Sequence, residues 1–587
     1  MEKNEKTEQS TVNSAYKPLR VWIPVLLLPC MGLVRFLPDL VQDGPSMIWM
    51  ASAFGPFLIG LLIMGWWVFA SRARWVERLL GVFGLIGVLV LVLSAADPSM
   101  KGPLVAVMTI PMAIAGFAIG LVAFAQKLSF QRTLFALAMA LLAAGFTTLV
   151  KSDGVWGNFA FGMDWRWNKS PEQKFLERRS TAKLDSTVEK ISLSEKAFES
   201  PEWPNFRGPN QDSSQHGLKF SDDWKTNPPK EMWRIAVGPA WSAFVVAGNY
   251  LVTQEQREDS EAVVCYAADS GKQVWEHSIP SRFYEGLGGL GPRATPTISR
   301  GAIYAMGAEG WLIKLNALTG ELVWKVDIRK AAQRDPPMWG FSSSPLVDGD
   351  LVSIHTAGKA NNGIMAFDIA NGELKWSAPA GEQSYASPQI VSLHGQKLLA
   401  LLSNEGVHLL EPATGKSVFN YDWPHMGYRA LQTQVVDQNR LLIPTGLGTG
   451  TRLIEVSESG GKLDAKELWT SRKMKPDFND IVIHRGYCYG FDNAIFGCLD
   501  LKDGSQKWAG GRYGKGQVLL LADSDLLLVL SEKGELVLLR ASPESFKELA
   551  KIQAMEGKTW NHPVVVGDNL YIRNAEEAVC YRLPVVQ

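Results

Sequence analysis

Four strings in the second half of this 587-residue chain place a Ser, Thr or His before a proline that opens an apolar run: Thr295-Pro296, Ser344-Pro345, Ser387-Pro388 and His562-Pro563. Ser242-Ala243, Gln432-Thr433, Asp480-Ile481 and Lys515-Gly516 stand at equivalent places. Beside these eight points lie Trp241, Arg293, Trp339, Tyr385, Tyr428, Arg429, Phe478, Asn479, Asp480, Tyr513, Lys515, Trp560, Asn561 and His562. Brought to one place, they offer flat rings to stack on and cations for carboxylates, which suits a planar anionic ligand. Asp480 or His562 could draw a proton or hydride from an alcohol as general base. The blander reading is that such residues fill and solvate a channel.

Other chemistry finds little support. There is no CxxC, CxxCH or HExxH, which removes zinc and haem attachment as readings, and no metal ligand set is assigned. Gly446-Leu447-Gly448-Thr449-Gly450 imitates a phosphate loop but lacks the Lys-Ser/Thr that would follow, so a hairpin turn is expected. Cys488 and Cys498 flank Asp492-Asn493. A turn centred on Asn493 sets them face to face for a disulfide, and a one-residue change of register puts them on opposite faces as free thiols. Lysine plus arginine and aspartate plus glutamate both total 59, so no basic excess points to nucleic acid.

Something must bring those eight points together, and a repeat does so. A Thr, Ser, Asn or Asp precedes a glycine, and four residues after the glycine comes an aromatic: Gly271 to Trp275, Gly320 to Trp324, Gly372 to Trp376, Gly415 to Phe419 and Gly504 to Trp508. Trp233 and Trp469 mark further repeats with degraded turns, and Leu549 holds the place in the last. The marks lie 39 to 52 residues apart, the length of four short strands with their turns. The glycine permits positive φ in a tight turn, and the aromatic opens the next strand and fills the wedge between neighbouring sheets. One such sheet cannot bury both faces, whereas a ring of them can. The fold expected is an all-β eight-bladed propeller, with seven blades as the alternative. The Ser/Thr-Pro segments would then converge on one mouth of the central channel. Residues 578–582 are expected to close the ring by pairing with the sheet that holds 231–237.

The first 150 residues read as another material. Apolar runs cover 21–34 (then Arg35), 47–70, 79–95, 104–125 and 134–150. About 20 residues cross a bilayer, so an all-α segment of about five transmembrane helices is expected. Lys3, Lys6, Lys17 and Arg20, then Arg72, Arg74 and Arg78, then Lys127 and Arg132 load one side; the other carries Arg35, Lys101 and Lys151. The positive-inside rule then puts the N-terminus in the cytoplasm and, after five crossings, the propeller outside it. The organisation expected is a cytoplasmic tail (1–20), a helical membrane segment (21–150), a juxtamembrane linker (151–202) and the propeller (203–587). Within the linker, residues 171–179 read as helix, and Met163-Asp164-Trp165-Arg166-Trp167 has the character of the membrane interface or of a plain loop.

Trp203-Pro204-Asn205-Phe206-Arg207-Gly208-Pro209-Asn210, Gly291-Pro292-Arg293-Ala294-Thr295-Pro296 and Lys558-Thr559-Trp560-Asn561-His562-Pro563 resemble bacterial PQQ-binding-like β-propeller repeat proteins. That class includes quinoprotein alcohol and glucose dehydrogenases and the propeller lipoprotein of the outer-membrane assembly machinery. The resemblance implies the fold over residues 203–583 and leaves two functions open. One is an integral protein of the bacterial inner membrane whose periplasmic propeller binds or scaffolds a protein, peptide or glycan. The other is a PQQ-dependent dehydrogenase that oxidises an alcohol or sugar and donates electrons to membrane quinone. The dehydrogenases hold PQQ with Ca²⁺ through carboxylate and amide oxygens, for which Asp480, Asn479 and Asn561 are the thin candidates. The adjacent cysteine pair and long insertions of some members are missing here.

Overall fold

In a computed structural model, residues 19–41, 46–127, 129–157, 160–185 and 194–586 are described. The chain divides into two compact units: residues up to Asn168 with Gly286–Gly289, and Lys169–Glu285 with Leu290–Gln587.

The first unit holds the apolar helices α1 (Trp22–Leu40), α2 (Ser46–Gly65), α3 (Trp75–Ala95), α4 (Ile110–Ala123) and α5 (Ser129–Gly145). Four helical stretches, Met50–Ala70, Trp75–Ala95, Val105–Ala123 and Phe130–Thr148, are long and apolar enough to cross a membrane, and α1 adds a shorter one, Trp22–Pro38. Apolar helices in lipid have no hydrophobic drive to associate, so for helices of this kind close approach of backbones matters. Gly116 and Gly120 of α4 meet α5 directly: a Cβ on Gly120 would lie 2.5 Å from Ala136 Cα. A second tie is polar. Arg132 grips Glu77 through Nε and Nη2 at 2.6 and 2.7 Å, Thr133 Oγ1 adds a bond of 3.0 Å, and all three side chains are buried. A charge at such depth persists only when paired. A two-stranded hairpin, Val150–Val155 with Phe161–Trp165, follows α5.

The second unit is the propeller, and it has eight blades. Blades 1 to 7 are antiparallel sheets over residues 245–280, 297–327, 346–378, 389–422, 434–471, 481–512 and 517–553. Blade 8 takes three strands from 564–582 and its outer strand, Lys230–Ala236, from the other end of the domain. Ala578 pairs with Ile235 and Cys580 with Trp233, the closure expected from the sequence.

The marks occupy equivalent places on the outer strands. Trp233, Trp275, Trp324, Trp376, Trp469 and Trp508 are each buried to 8–9% exposure. Each indole Nε1 donates to a backbone oxygen of the next blade, at Ala268, Ala317, Ile369, Pro412, Leu501 and Ser542, over 2.8–3.1 Å. The repeat glycine serves the neighbour's ring rather than its own aromatic. A Cβ on Gly415 would stand 2.2 Å from Trp376 Cε3, and on Gly320 2.6 Å from Trp275 Cε3. The two weak marks make sense on this geometry. Phe419 faces blade 5, whose long outer hairpin turns at Gly460-Gly461 in open space. Leu549 faces blade 8, whose outer strand arrives from elsewhere, so no turn exists there to receive a tryptophan. Gly415→Ala should therefore cost about 2–5 kcal/mol, the sum of left-handed strain at φ +69 and overpacking on Trp376. Gly460→Ala, at φ +59 with nothing within 4 Å, should lose only about 1–2 kcal/mol. Paired denaturant melts separate the two contributions.

Arg440–Thr445 and Gly450–Ser459 flank the glycine-rich loop as paired strands, so it is the hairpin turn expected. Tyr489 pairs with Cys498 and Cys488 with Leu499. This one-residue offset sends the two sulfurs into different cores, and both are free thiols, which settles the alternatives against a disulfide.

Candidate functional site

The inner strand of each blade begins at the mouth, and its entry residue reaches to the next blade. Ala243 N donates to Thr295 Oγ1 (3.1 Å), Thr295 N to Ser344 Oγ (3.0 Å), and Ser344 N to Ser387 Oγ (2.9 Å). Gln389 Nε2 continues to Thr433 Oγ1 (2.7 Å). Asp480 N donates to Gln517 Oε1 (2.9 Å), Gln517 Nε2 to Trp560 O (3.0 Å), and Asn561 Nδ2 to Ser242 O (2.7 Å). The Ser/Thr-Pro signature is thus a girdle of hydrogen bonds joining blade to blade.

At the junction of blades 5 and 6 the girdle is carried by a residue from outside the blades. Residues 203–216 form a strap across the channel. Trp203 bridges Val246 of blade 1, and Pro204 O accepts from Ile298 N of blade 2. Ser214–Gln215 then adds in parallel to Gln517–Leu521, as a fifth strand on the channel side of blade 7. Between them Arg207, 2% exposed, donates to Gln434 Oε1 of blade 5 (2.9 Å) and to Asp480 Oδ2 (2.7 Å) and Ile481 O (3.1 Å) of blade 6. Its neighbour Phe206 sets an edge against the His562 ring, centroids 4.7 Å apart. Arg207, Gln211 and Ser213 all hold positive φ, strain that the surrounding contacts must sustain. Spacing and residue type assign this arginine no role. The signal was a lone cation amid the turn residues Gly208-Pro209-Asn210.

Asp480 is accordingly a structural anion. Ser213 Oγ donates to its Oδ2, and Oδ1 accepts from Ile481 N (2.7 Å). Burial disfavours the charge, yet the Arg207 guanidinium and the His562 ring outweigh it and hold the carboxyl well below the usual carboxylate range. So weak a base cannot take a proton from an alcohol at neutral pH. His562 Nε2 lies 3.6 Å from Asp480 Oδ2, too far for a hydrogen bond, and Ser213 addresses the carboxylate rather than the imidazole, so no serine–histidine nucleophile forms.

The remaining residues divide. Trp241, Phe478 and Trp560 cluster, with Trp560 4.7 Å from Trp241 and 5.1 Å from Phe478, and the Lys558 ammonium sits over both indoles. Trp339, Tyr385 and Tyr428 form a second cluster with centroids 4.5–5.6 Å apart. All six rings are half-buried. Burial raises both phenols above their ordinary values, so neither is an acid or base near neutrality. Lys515 pairs with Asp477, and Arg293 with Glu285 at 3.1 Å. Two of the expected lining residues turn away from the mouth. Arg429 is drawn into the interior by three acceptors, Thr445 Oγ1, Ser403 O and Trp423 O, and Tyr513 buries its ring between blades 6 and 7 with its hydroxyl on Glu548 (2.6 Å).

A calcium–quinone pair does not fit these residues. Asp480 faces a guanidinium where a cation would have to sit. Asn479 Oδ1 is spent on Asp477 N and its Nδ2 on Asn493 O; Asn561 gives its Nδ2 to Ala240 O and Ser242 O, which leaves its buried Oδ1 as a single unpartnered oxygen where calcium takes six or more. Among the described residues no three His, Cys, Asp or Glu side chains gather as a metal cage. A ring inserted between Trp241 and Trp560 would hold them about 7 Å apart, and they are already in contact.

Beside the mouth, Glu261 is buried with only Ala308 N and Ser281 Oγ as donors, and burial raises it to about 7. A carboxyl raised on folding favours the folded state while protonated. Its contribution is full below pH 4.5 and lost as pH rises through 7, about 3 kcal/mol in all. Glu261→Gln should abolish that slope and raise the unfolding midpoint at pH 8, read by denaturant melts at pH 5 and pH 8.

Residues 226–334 and 259–510 match the family model described as outer membrane protein assembly factor BamB. Among solved structures, BamB from Moraxella catarrhalis aligns at 14% identity over 60% of this chain and 100% of its own, with TM-score 0.44. Quinohemoprotein alcohol dehydrogenase ADHIIG from Pseudomonas putida HK5 aligns at 12% identity over 68% and 83% (TM-score 0.47). The quinohemoprotein alcohol dehydrogenase from Comamonas testosteroni aligns at 11% over 71% and 85% (TM-score 0.46). No curated protein matches the sequence.

Proposed function

We propose, for a chain whose repeats match the BamB family model over residues 226–510, that the mouth is a binding surface for an extracytoplasmic protein, peptide or glycan and that the helices anchor it in the membrane. The observation that carries this reading is the division of labour at the mouth. Six aromatic rings stay partly exposed, while the cations and carboxylates that catalysis would draw on are tied into protein pairs. Trp and Tyr are the residues in which the binding energy of protein interfaces concentrates. The dehydrogenase reading is opposed by Arg207 at Asp480. Counting the shorter helix Trp22–Pro38 as a fifth crossing, the cationic loops support a place in the bacterial inner membrane with the propeller on the periplasmic side.

The test titrates the full chain in detergent with peptide and glycan panels, and separately with PQQ and Ca²⁺. A panel member should bind saturably, and Trp339→Ala with Trp560→Ala should weaken it at least tenfold without moving the unfolding midpoint. Saturable PQQ binding at micromolar concentration, lost in Arg293→Ala, would overturn the reading.

A further inference from the structure

The hairpin after the last apolar helix ends in a side-chain ladder that no partner within its unit covers fully. Trp165 and Trp167 stack with centroids 4.9 Å apart and planes 9° apart, and Trp165 meets Phe146 edge-on at 6.2 Å. Phe146 belongs to the stretch Phe130–Thr148 that is long and apolar enough to span. The rings therefore run without a break from the end of that stretch onto the hairpin. Met163 alternates with Trp165 on the outer strand, so both stand on one face. Met163, Trp165 and Trp167 are 42%, 44% and 67% exposed, and Phe146 and Leu149 38% and 46%. These five form one exposed apolar strip.

The same hairpin is fixed at a definite height. Arg166, between the tryptophans, donates through Nη1 to Ala95 O (2.8 Å), the last residue of α3, and its Nε stands 4.0 Å from Asp97. A cation on the final carbonyls of a helix is favoured by the helix dipole. Its backbone N also donates to Leu149 O (2.9 Å), just beyond the end of the other spanning stretch. Lys151 Nζ donates to Asn168 O on the opposite strand side. Two helix ends and the aromatic strip thus share one level, with Arg166 and Lys151 beside the rings.

Indole, thioether and flanking cations at the rim of apolar helices match one environment: the glycerol and headgroup layer, apolar on one side and wet on the other. We infer that residues 161–167 form an interfacial collar that lies in the lipid headgroup layer and fixes the depth of the helices. The inference rests on the membrane anchor under Proposed function. A protein partner would demand a closed, complementary patch, whereas this strip is narrow and continuous with surfaces suited to lipid.

The experiment places a reporter on the collar of the full chain. Cys30→Ser removes the one exposed cysteine, leaving four buried. Met163→Cys then carries an environment-sensitive fluorophore, and the protein is reconstituted in phosphatidylcholine vesicles. Co-flotation with the vesicles reports the anchor separately. Nitroxide lipids labelled near the headgroup should quench the probe at least twice as strongly as those labelled deep in the acyl chain. Trp165→Ser with Trp167→Ser in the same chain should cut the shallow quenching by half or more. Quenching no greater than in nitroxide-free vesicles, stronger quenching from the deep label, or shallow quenching indifferent to loss of the tryptophans would each overturn the collar.

Discussion

A full chain cut after Asn574 should lose its propeller altogether. The missing segment contains the strand Glu577–Arg582, which lies between Asn569–Arg573 and Lys230–Ala236 and is the strand through which the two ends of the domain pair in blade 8. Ala578, Val579, Cys580, Tyr581 and Leu583 are each at most 5% exposed, and their burial is worth roughly 6–10 kcal/mol. Removing them also strips both ladders and exposes facing residues such as Ile572 and Val565. A domain is stabilised by only about 5–15 kcal/mol in total, so the loss is of the same size as the whole. Limited proteolysis should find no resistant propeller fragment, and tryptophan fluorescence should show no cooperative transition. A truncated chain with an unchanged midpoint would contradict ring closure through this strand.

The second large effect belongs to Arg207. Arg207→Ala leaves the Asp480 carboxylate buried at 1% exposure with its charge uncompensated, for which a penalty of about 3–5 kcal/mol is usual. It also removes the tie between blades 5 and 6. The sign of the pH response identifies the cause. In the parent chain Asp480 is held low, so it favours folding above its ordinary value of 3.8 and that contribution is lost as pH falls through the depressed folded value. Without the guanidinium, burial is opposed only by the His562 ring and the donors Ser213 Oγ and Ile481 N, and the carboxyl rises. The variant should then be least stable near neutrality and recover part of the deficit toward pH 5. Arg207→Met with Asp480→Leu should restore most of the loss at all pH values, because no charge is left in the interior. Urea melts of the three chains at pH 5 and pH 7.5 distinguish a lost charge pair from simple loss of packing, which would show no such recovery.

The ring was legible because its signals are local. Glycine and aromatic lie four residues apart, and turns such as Asp348-Gly349-Asp350 separate the strands. The closing pair 578–582 with 231–237 followed from counting strands. The mouth was only half legible. Trp241 meets Trp560, and Trp339 meets Tyr385 and Tyr428, as two separate clusters of residues that each stand just before an inner strand. What single positions do next depends on neighbours hundreds of residues away. Arg429 finds Ser403 and Trp423, Tyr513 finds Glu548, and Asp480 finds Arg207 from a strap 273 positions earlier. Spacing carries no trace of such long-range pairings. The Ser/Thr-Pro residues were placed correctly at the mouth, but their hydroxyls accept backbone N–H groups of the adjoining blade instead of facing a ligand.

The indole of one blade rests against the turn glycine of the next, so the unit of construction in this ring is the seam and not the sheet. A cassette exchanged between two such proteins at blade borders would separate each tryptophan from the hollow shaped for it, and would do so at both cuts. A cassette running from the middle of one blade to the middle of the following one keeps the couple together. On the same logic, substitutions at positions 376 and 415 should be tolerated jointly more often than singly, and a library built on that pairing would recover more folded members than one that varies each blade by itself.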